Sequence, residues 1–118
     1  MLVPVLERVR ALCLGLPEAT EKVSHGEPAW FAGRMFAMYA DHHHDDRVAV
    51  WLAAGPGVQE ALVADASYFR PPYVGHRGWV GAYLDVPVDE AVLGELVADA
   101  YRCVASKRLV ALLDAREG

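Results

Sequence analysis

The chain has 118 residues, of which 54% are hydrophobic and 23% are charged, and its formal net charge is −5. This composition predicts a single globular domain over residues 1–118 that buries a core without help from a metal or a disulfide. It excludes a disordered tail, a collagen-like chain and a strongly basic, histone-like binder.

The two cysteines, Cys13 and Cys103, are too few for a disulfide-stapled secreted domain. They predict reduced thiols and a cytoplasmic location. Charged residues and Pro4 interrupt the first apolar residues, so we expect no secretory signal. No apolar run reaches the roughly 20 residues that a membrane-spanning helix needs, and we expect no contact with a membrane.

The first half of the chain changes its hydrophobic period once. Between Pro4 and Pro17 apolar residues recur at helical spacing, which predicts a helix. From about residue 20 to residue 52 apolar residues alternate, as in β-strands. Ala32-Gly33 and the polar run 41–46 suit hairpin turns, and such short connections predict antiparallel pairing.

The second half is predicted to contain three helices and a last strand. A short helix follows residues 55–57, and alternation over 80–86 indicates a last strand. Asp89 suits the start of a long helix, and Ser106 that of a short one. This order predicts an α+β domain, with N-terminal and C-terminal helices packed on an antiparallel sheet of about five strands. The predicted core comprises Leu12, Leu16, Phe36, Met38, Val50, Leu84, Leu96 and Tyr101.

The strand over residues 35–40 is apolar at every position. A strand with one face in water would carry polar residues at alternate positions, so both faces of this strand are predicted to be covered. Helices of the same chain are the cover that we favour, and a second subunit is the alternative. The expected state is therefore a monomer or a weak homodimer.

Motifs of the common enzyme classes are absent from the sequence. It contains no GxxxxGK[ST], GxGxxG, GxSxG, HExxH or CxxC pattern. His25 and Glu27 could form an acid–base pair, but no nucleophile lies near them in sequence, so surface residues at a turn are the better interpretation. We expect no catalytic residues and no cofactor, and an enzyme is the weakest of the functional classes considered.

Histidine and aspartate fill residues 41–46, which offers nitrogen and oxygen ligands for zinc, nickel or copper. In an extended segment His42 and His44 project to one side and His43 to the other, so at most two of the three could chelate together. A solvated hairpin turn explains the run better. No metal site is predicted, with His42 and His44 as weak candidates.

Two stretches without acidic residues carry the candidate binding residues. In residues 66–84, arginines alternate with aromatic rings that could stack on bases or hold an anion. In the alternative interpretation these rings fill the core and the arginines extend to water. The candidates in this stretch are Arg70, Tyr73, His76, Arg77 and Trp79. A second stretch, 100–113, adds Arg102, Lys107 and Arg108.

Six short stretches occur in an order that resembles the MmcQ/YjbR family of small bacterial proteins. They are Leu12…Leu16-Pro17, Pro28-Ala29-Trp30-Phe31, Phe36-Ala37-Met38, residues 71–80, Tyr83-Leu84-Asp85 and residues 96–101. The resemblance spans almost the whole chain. It implies a compact α+β domain similar to the type III secretion-chaperone architecture, which has also been described as a DNA-binding double-wing module. It implies no catalytic residues.

The charge of the chain conflicts with DNA as a partner, because a net charge of −5 repels a polyanion at long range. DNA binding would require the cations of both acid-free stretches to form one face. A protein partner or a small anionic ligand could use the same residues and would tolerate the overall charge. We therefore predict a non-enzymatic binding module, with DNA slightly ahead because of the resemblance and the other two partners as the alternative.

Overall fold

The computed structural model describes residues 4–43 and 45–117. The helices in chain order are α1 (Val5–Leu14), α2 (Val58–Leu62), a 3₁₀ turn (Gly75–Arg77), α3 (Glu90–Val104) and α4 (Lys107–Glu117). The strands are β1 (Thr20–Ser24), β2 (Glu27–Ala32), β3 (Arg34–Asp41), β4 (Val48–Leu52), β5 (Tyr68–Phe69) and β6 (Val80–Tyr83). In this part of the chain no helix has both the length and the apolar composition needed to cross a bilayer.

The six described strands form one antiparallel sheet in the order β1-β2-β3-β4-β6-β5. The predicted α+β class is confirmed, and the predicted sheet of about five strands has six. A strand of two residues, such as β5, is too short to show alternation in the sequence. The predicted strand 80–86 ends at Tyr83, and the N–H of Leu84 still donates to the carbonyl of Val48 at 2.8 Å.

Helices α1 and α3 pack on one face of the sheet, which we call the helical face. Phe36 meets Tyr101 of α3 edge-on, with ring centroids 5.7 Å apart. The Tyr101 hydroxyl donates to the carbonyl of Pro17 at 2.8 Å, which ties α3 to the segment after α1. Of the predicted core, five residues are buried: Phe36, Met38, Val50, Leu84 and Tyr101. Leu12, Leu16 and Leu96 are half-buried and pack against that core.

A β-bulge in β3 decides which side chains reach each face. Trp30 of β2 pairs with Ala37 and Phe31 pairs with Met35, so Phe36 is an extra residue opposite no partner on β2. An extra residue interrupts the alternation of side chains along a strand. Phe36 therefore points to the helical face together with Ala37, and Met35 points to the opposite face.

The opposite face, which we call the open face, is covered at its centre by the loop of residues 70–79. Met38 of β3 and Trp51 of β4 lie opposite each other on this face and are both buried. They line one cleft together with Tyr73 and Val74 of the loop. The expectation that helices cover both faces is therefore wrong. Consecutive prolines at 71 and 72 disfavour an α-helix at this point of the loop.

Candidate functional site

The predicted binding residues divide between the two faces of the sheet. Arg70, Tyr73, His76, Arg77 and Trp79 belong to the loop on the open face, whereas Arg102, Lys107 and Arg108 belong to helices α3 and α4. Helix α3 packs on the helical face, as its Tyr101 shows. The structure thus does not bring the two groups together on one face.

Two of the three predicted binding residues on α3 and α4 form ion pairs. Arg102 contacts Asp99 at 3.4 Å and Asp114 at 3.0 Å. Arg108 donates two hydrogen bonds to Glu18, at 2.9 and 3.0 Å, and these bonds lower the pKa of the Glu18 carboxyl. Lys107 is exposed and forms no ion pair with any residue that the structure describes. Two of the three helical cations are therefore already paired with carboxylates.

The loop on the open face has both exposed and buried members. Tyr73 is 80% exposed, and Arg70, His76 and Arg77 are exposed as well. Trp79 is only 4% exposed, and the Arg77 guanidinium lies 5.7 Å from the centre of its ring. Trp79 therefore fits the core interpretation of these aromatics, while Tyr73 remains available to a ligand.

Gln59 of α2 holds the loop in place through hydrogen bonds to its backbone. Its side chain is buried, and its Nε2 donates to the carbonyls of Gly75 at 2.9 Å and Trp79 at 2.5 Å. A Cβ at position 75 would lie 2.7 Å from Cγ of Arg70, so a larger residue there would displace the exposed Arg70 side chain. One buried amide thus ties the first residue of the 3₁₀ turn and the residue after its C-cap to α2.

A cleft of about 400 Å³ opens on the open face. Its lining comes from the sheet, the loop and the hairpin connections: His25, Met35, Met38, His43, Trp51, Tyr73 and Val74. The volume and the mostly apolar lining are typical of small-molecule sites, which use a few polar groups to orient the ligand. We call this the open-face cleft.

The indole of Trp51 forms part of the cleft and contacts the ring of His43 edge-on, with centroids 5.5 Å apart. Its Nε1 is buried, and no residue within 4–43 or 45–117 provides it with a hydrogen-bond acceptor. A buried N–H without an acceptor costs about 1–3 kcal/mol. One residue of the lining therefore carries a buried polar group that the described chain leaves unpaired.

Backbone strain occurs at two positions in the lining. His25 has a φ of +54° in the turn between β1 and β2, where Gly26 follows at +80°. Positive φ at both turn residues is the type I′ geometry, which favours asparagine over histidine at the first position. Tyr73 has a φ of +65°. Strained residues outside glycine tend to be retained at functional sites.

Two carboxylates at the β3–β4 connection are engaged in local contacts. Asp41 accepts a bond from His42 at 2.5 Å, which raises the pKa of that imidazole. Asp45 accepts a bond from the Tyr83 hydroxyl at 2.9 Å. Among the weak metal candidates, His42 is thus paired with Asp41, and His44 lies outside the described residues. Within the described chain no group of three or more metal-ligating side chains occurs.

Sequence reasoning identified Tyr73 but not the cleft that it borders. Met35, Met38 and Trp51 were assigned to strands, with no role in binding. The available signal was the fully apolar strand 35–40, which indicated a covered second face. That face is covered by the loop of residues 70–79, which follows much later in the chain. The cleft between strand and loop therefore could not be predicted from the local sequence pattern.

Comparison with known proteins shows which family and which solved structure this chain is similar to. The sheet and helices define a small α+β domain with a helical face and an open face. A family model described as YjbR matches residues 14–103, and the chain therefore belongs to the YjbR family. Protein DR2400 of Deinococcus radiodurans, whose crystal structure contains the family-model domain DUF419, has a similar fold with a TM-score of 0.71 at 22% identity. The alignment covers 92% of this chain and 87% of that one. No curated protein sequence matches significantly.

Proposed function

We propose that this protein is a non-enzymatic binding module that holds a small, mostly apolar molecule in the open-face cleft. The observation that carries the proposal is the lining of that cleft, in which two methionines and two aromatic rings surround about 400 Å³. Methionine adapts its shape to a ligand and contacts aromatic groups favourably through its sulfur. A concave site of this size favours a small molecule over a flat protein surface.

Direct DNA binding, which the family resemblance implies, has weaker support. It needs several unpaired cations on one face, and Arg102 and Arg108 are engaged with carboxylates on the helical side. The net charge of −5 opposes a polyanion as well. A protein partner remains the second alternative, because the exposed ring of Tyr73 could serve as an anchor.

We propose a cytoplasmic location because of the state of the two cysteines. Cys13 is buried, Cys103 is exposed, and both are free, which supports a reducing, cytoplasmic location. A monomer suffices for the proposed function because one chain supplies the whole lining of the cleft.

The test uses 2-naphthylmethanol, a neutral aromatic probe, titrated into the protein and followed by two-dimensional amide NMR. We expect saturable binding at one site, with shifts at the cleft residues. Val74→Trp places bulk in the cleft and should weaken binding by about tenfold or more. Val63→Trp is the matched control, because Val63 is exposed on the far end of α2 and lines no part of the cleft. Absence of saturable binding, or equal loss in both variants, would refute the proposal.

A further inference from the structure

Building on the proposed function of the cleft, we infer that its ligand is an aromatic carboxylate. The aromatic body would lie between the sheet and the loop, and the carboxylate would face the β1–β2 hairpin.

The inner part of the cleft suits a flat aromatic body. Met38 and Trp51 pair across β3 and β4 and form a floor, and Val74 comes from the loop that covers it. Thioether sulfur and indole are polarisable groups that contact aromatic rings better than aliphatic chains do. An aromatic ligand therefore gains more from this lining than an aliphatic one of the same volume.

One histidine and one lysine lie on the hairpin side of the cleft. His25 lines the cleft at the turn between β1 and β2, and its Nδ1 lies 3.1 Å from the hydroxyl oxygen of Ser24. On the adjacent β1 strand the ammonium of Lys22 lies 5.5 Å from the centre of the Phe31 ring. Phe31 pairs with Met35, which itself lines the cleft. An ammonium and an imidazole thus flank the same side of the site.

Carboxylates do not oppose a bound anion directly. The lining contains two imidazoles and one phenol but no acidic side chain. Nearby, Glu27 accepts a bond from the backbone N–H of Asp41 at 2.6 Å, and Asp41 in turn pairs with His42. Asp45 is bonded to Tyr83, and Asp46 is exposed, where water and salt screen its charge. A cationic ligand would find no counter-ion in the lining.

The test compares three probes with one aromatic frame: 2-naphthoate, 2-naphthylmethanol and 2-naphthylmethylammonium. We expect the carboxylate to bind about tenfold more tightly than the alcohol, as for a hydrogen bond to a charged group at a partly wet site. The ammonium should bind more weakly than the alcohol. The three affinities are measured by calorimetry at one ionic strength.

Variants then assign the preference to its residues. His25→Asn keeps a residue that tolerates the left-handed turn, and Lys22→Met keeps the length of the side chain. The double variant should bind the carboxylate no better than the alcohol. Lys107→Met removes a cation from α4 and should leave all three affinities as they were. Thermal melts establish that each variant is folded.

The outcomes separate the two proposals. Binding of the three probes with equal affinity, or tightest binding of the ammonium, would overturn the aromatic carboxylate and leave the cleft as a binding site. A preference for the carboxylate that survives the double variant would also overturn the inference. Failure of all three probes to bind would refute the proposed function itself.

Discussion

Two buried tryptophans of the sheet differ in the partner of the indole N–H. The indole N–H of Trp30 donates to the carboxylate of Glu21 at 2.8 Å, and Arg10 of α1 holds the same carboxylate at 2.8 and 3.0 Å. Together these hydrogen bonds outweigh the effect of burial and lower the pKa of Glu21. The indole N–H of Trp51 has no such partner in the described part of the chain. The contact of Trp30 therefore links sheet and helix, whereas the indole N–H of Trp51 makes no such link.

This difference predicts unequal costs for the same substitution. Trp30→Phe and Trp51→Phe remove the same atoms from buried sites. The cavities that they leave should therefore lower the free energy of unfolding by similar amounts. Trp30→Phe also removes a hydrogen bond to a charged group, and we expect it to cost about 1–2 kcal/mol more. Urea unfolding at neutral pH measures both free energies. Equal losses, or a larger loss at Trp51, would contradict the assignment of these contacts.

At the scale of elements, β5 and β6 meet through a glycine. A Cβ on Gly81 of β6 would lie 2.2 Å from Cζ of Phe69, its partner on β5. The Phe69 ring also stacks on Tyr83, with centroids 4.5 Å apart. The glycine thus serves close approach, because the Phe69 ring lies directly over it. This packing secures the short outer strand of the sheet.

The close contact between Gly81 and Phe69 predicts that substitutions at these two positions are strongly coupled. Gly81→Ala forces the Phe69 ring aside and should destabilise the protein by about 1–3 kcal/mol. In a Phe69→Ala background the ring is gone, and the same change at Gly81 should cost much less. A double-mutant cycle by thermal or urea unfolding measures the coupling. Gly55→Ala, where an added Cβ meets no atom within 4 Å, is the control and should be nearly neutral. Additive losses would show that Phe69 does not restrict position 81.

On the scale of the whole molecule, many of the cations are bound to carboxylates. Ion pairs join Arg8 to Glu90, Arg10 to Glu21 and Arg47 to Asp85. The last of these guanidiniums also lies 3.5 Å from the centre of the Tyr83 ring. With Arg102 and Arg108 paired as well, the charge available to a polyanion is much smaller than the composition indicates.

This pairing of cations with carboxylates predicts how steeply DNA binding depends on salt concentration. If only Arg70 and Arg77 contact phosphates, the log–log slope of affinity against salt should be no steeper than about −2. Five cooperating cations that neutralise about four phosphates would give about −3 to −4. Fluorescence anisotropy of a labelled duplex over a salt series measures the slope, and Arg77→Ala tests the loop. A slope beyond about −3 that becomes shallower in both Arg77→Ala and Lys107→Ala would restore DNA as the leading partner.

Sequence alone determined the longer elements and the class of fold, because their signals act within a few residues. Asp89 caps α3 as predicted, accepting hydrogen bonds from Ala91 and Val92 at 2.9 and 3.3 Å. Ser106 likewise accepts a bond from the N–H of Leu109 at the start of α4. Alternation and short turns were sufficient to predict the antiparallel strands, since period and turn length are local properties.

Only the tertiary structure decided which groups are available for binding. The bulge at Phe36 moves Met35 to the open face, and no period in the sequence marks it. Arg108 is neutralised by Glu18, 90 residues away, so its availability depends on the packing of α4 near the N-terminal segment. The open-face cleft likewise combines strands with a loop that follows much later in the chain. Such contacts arise from long-range packing, which local propensity does not encode.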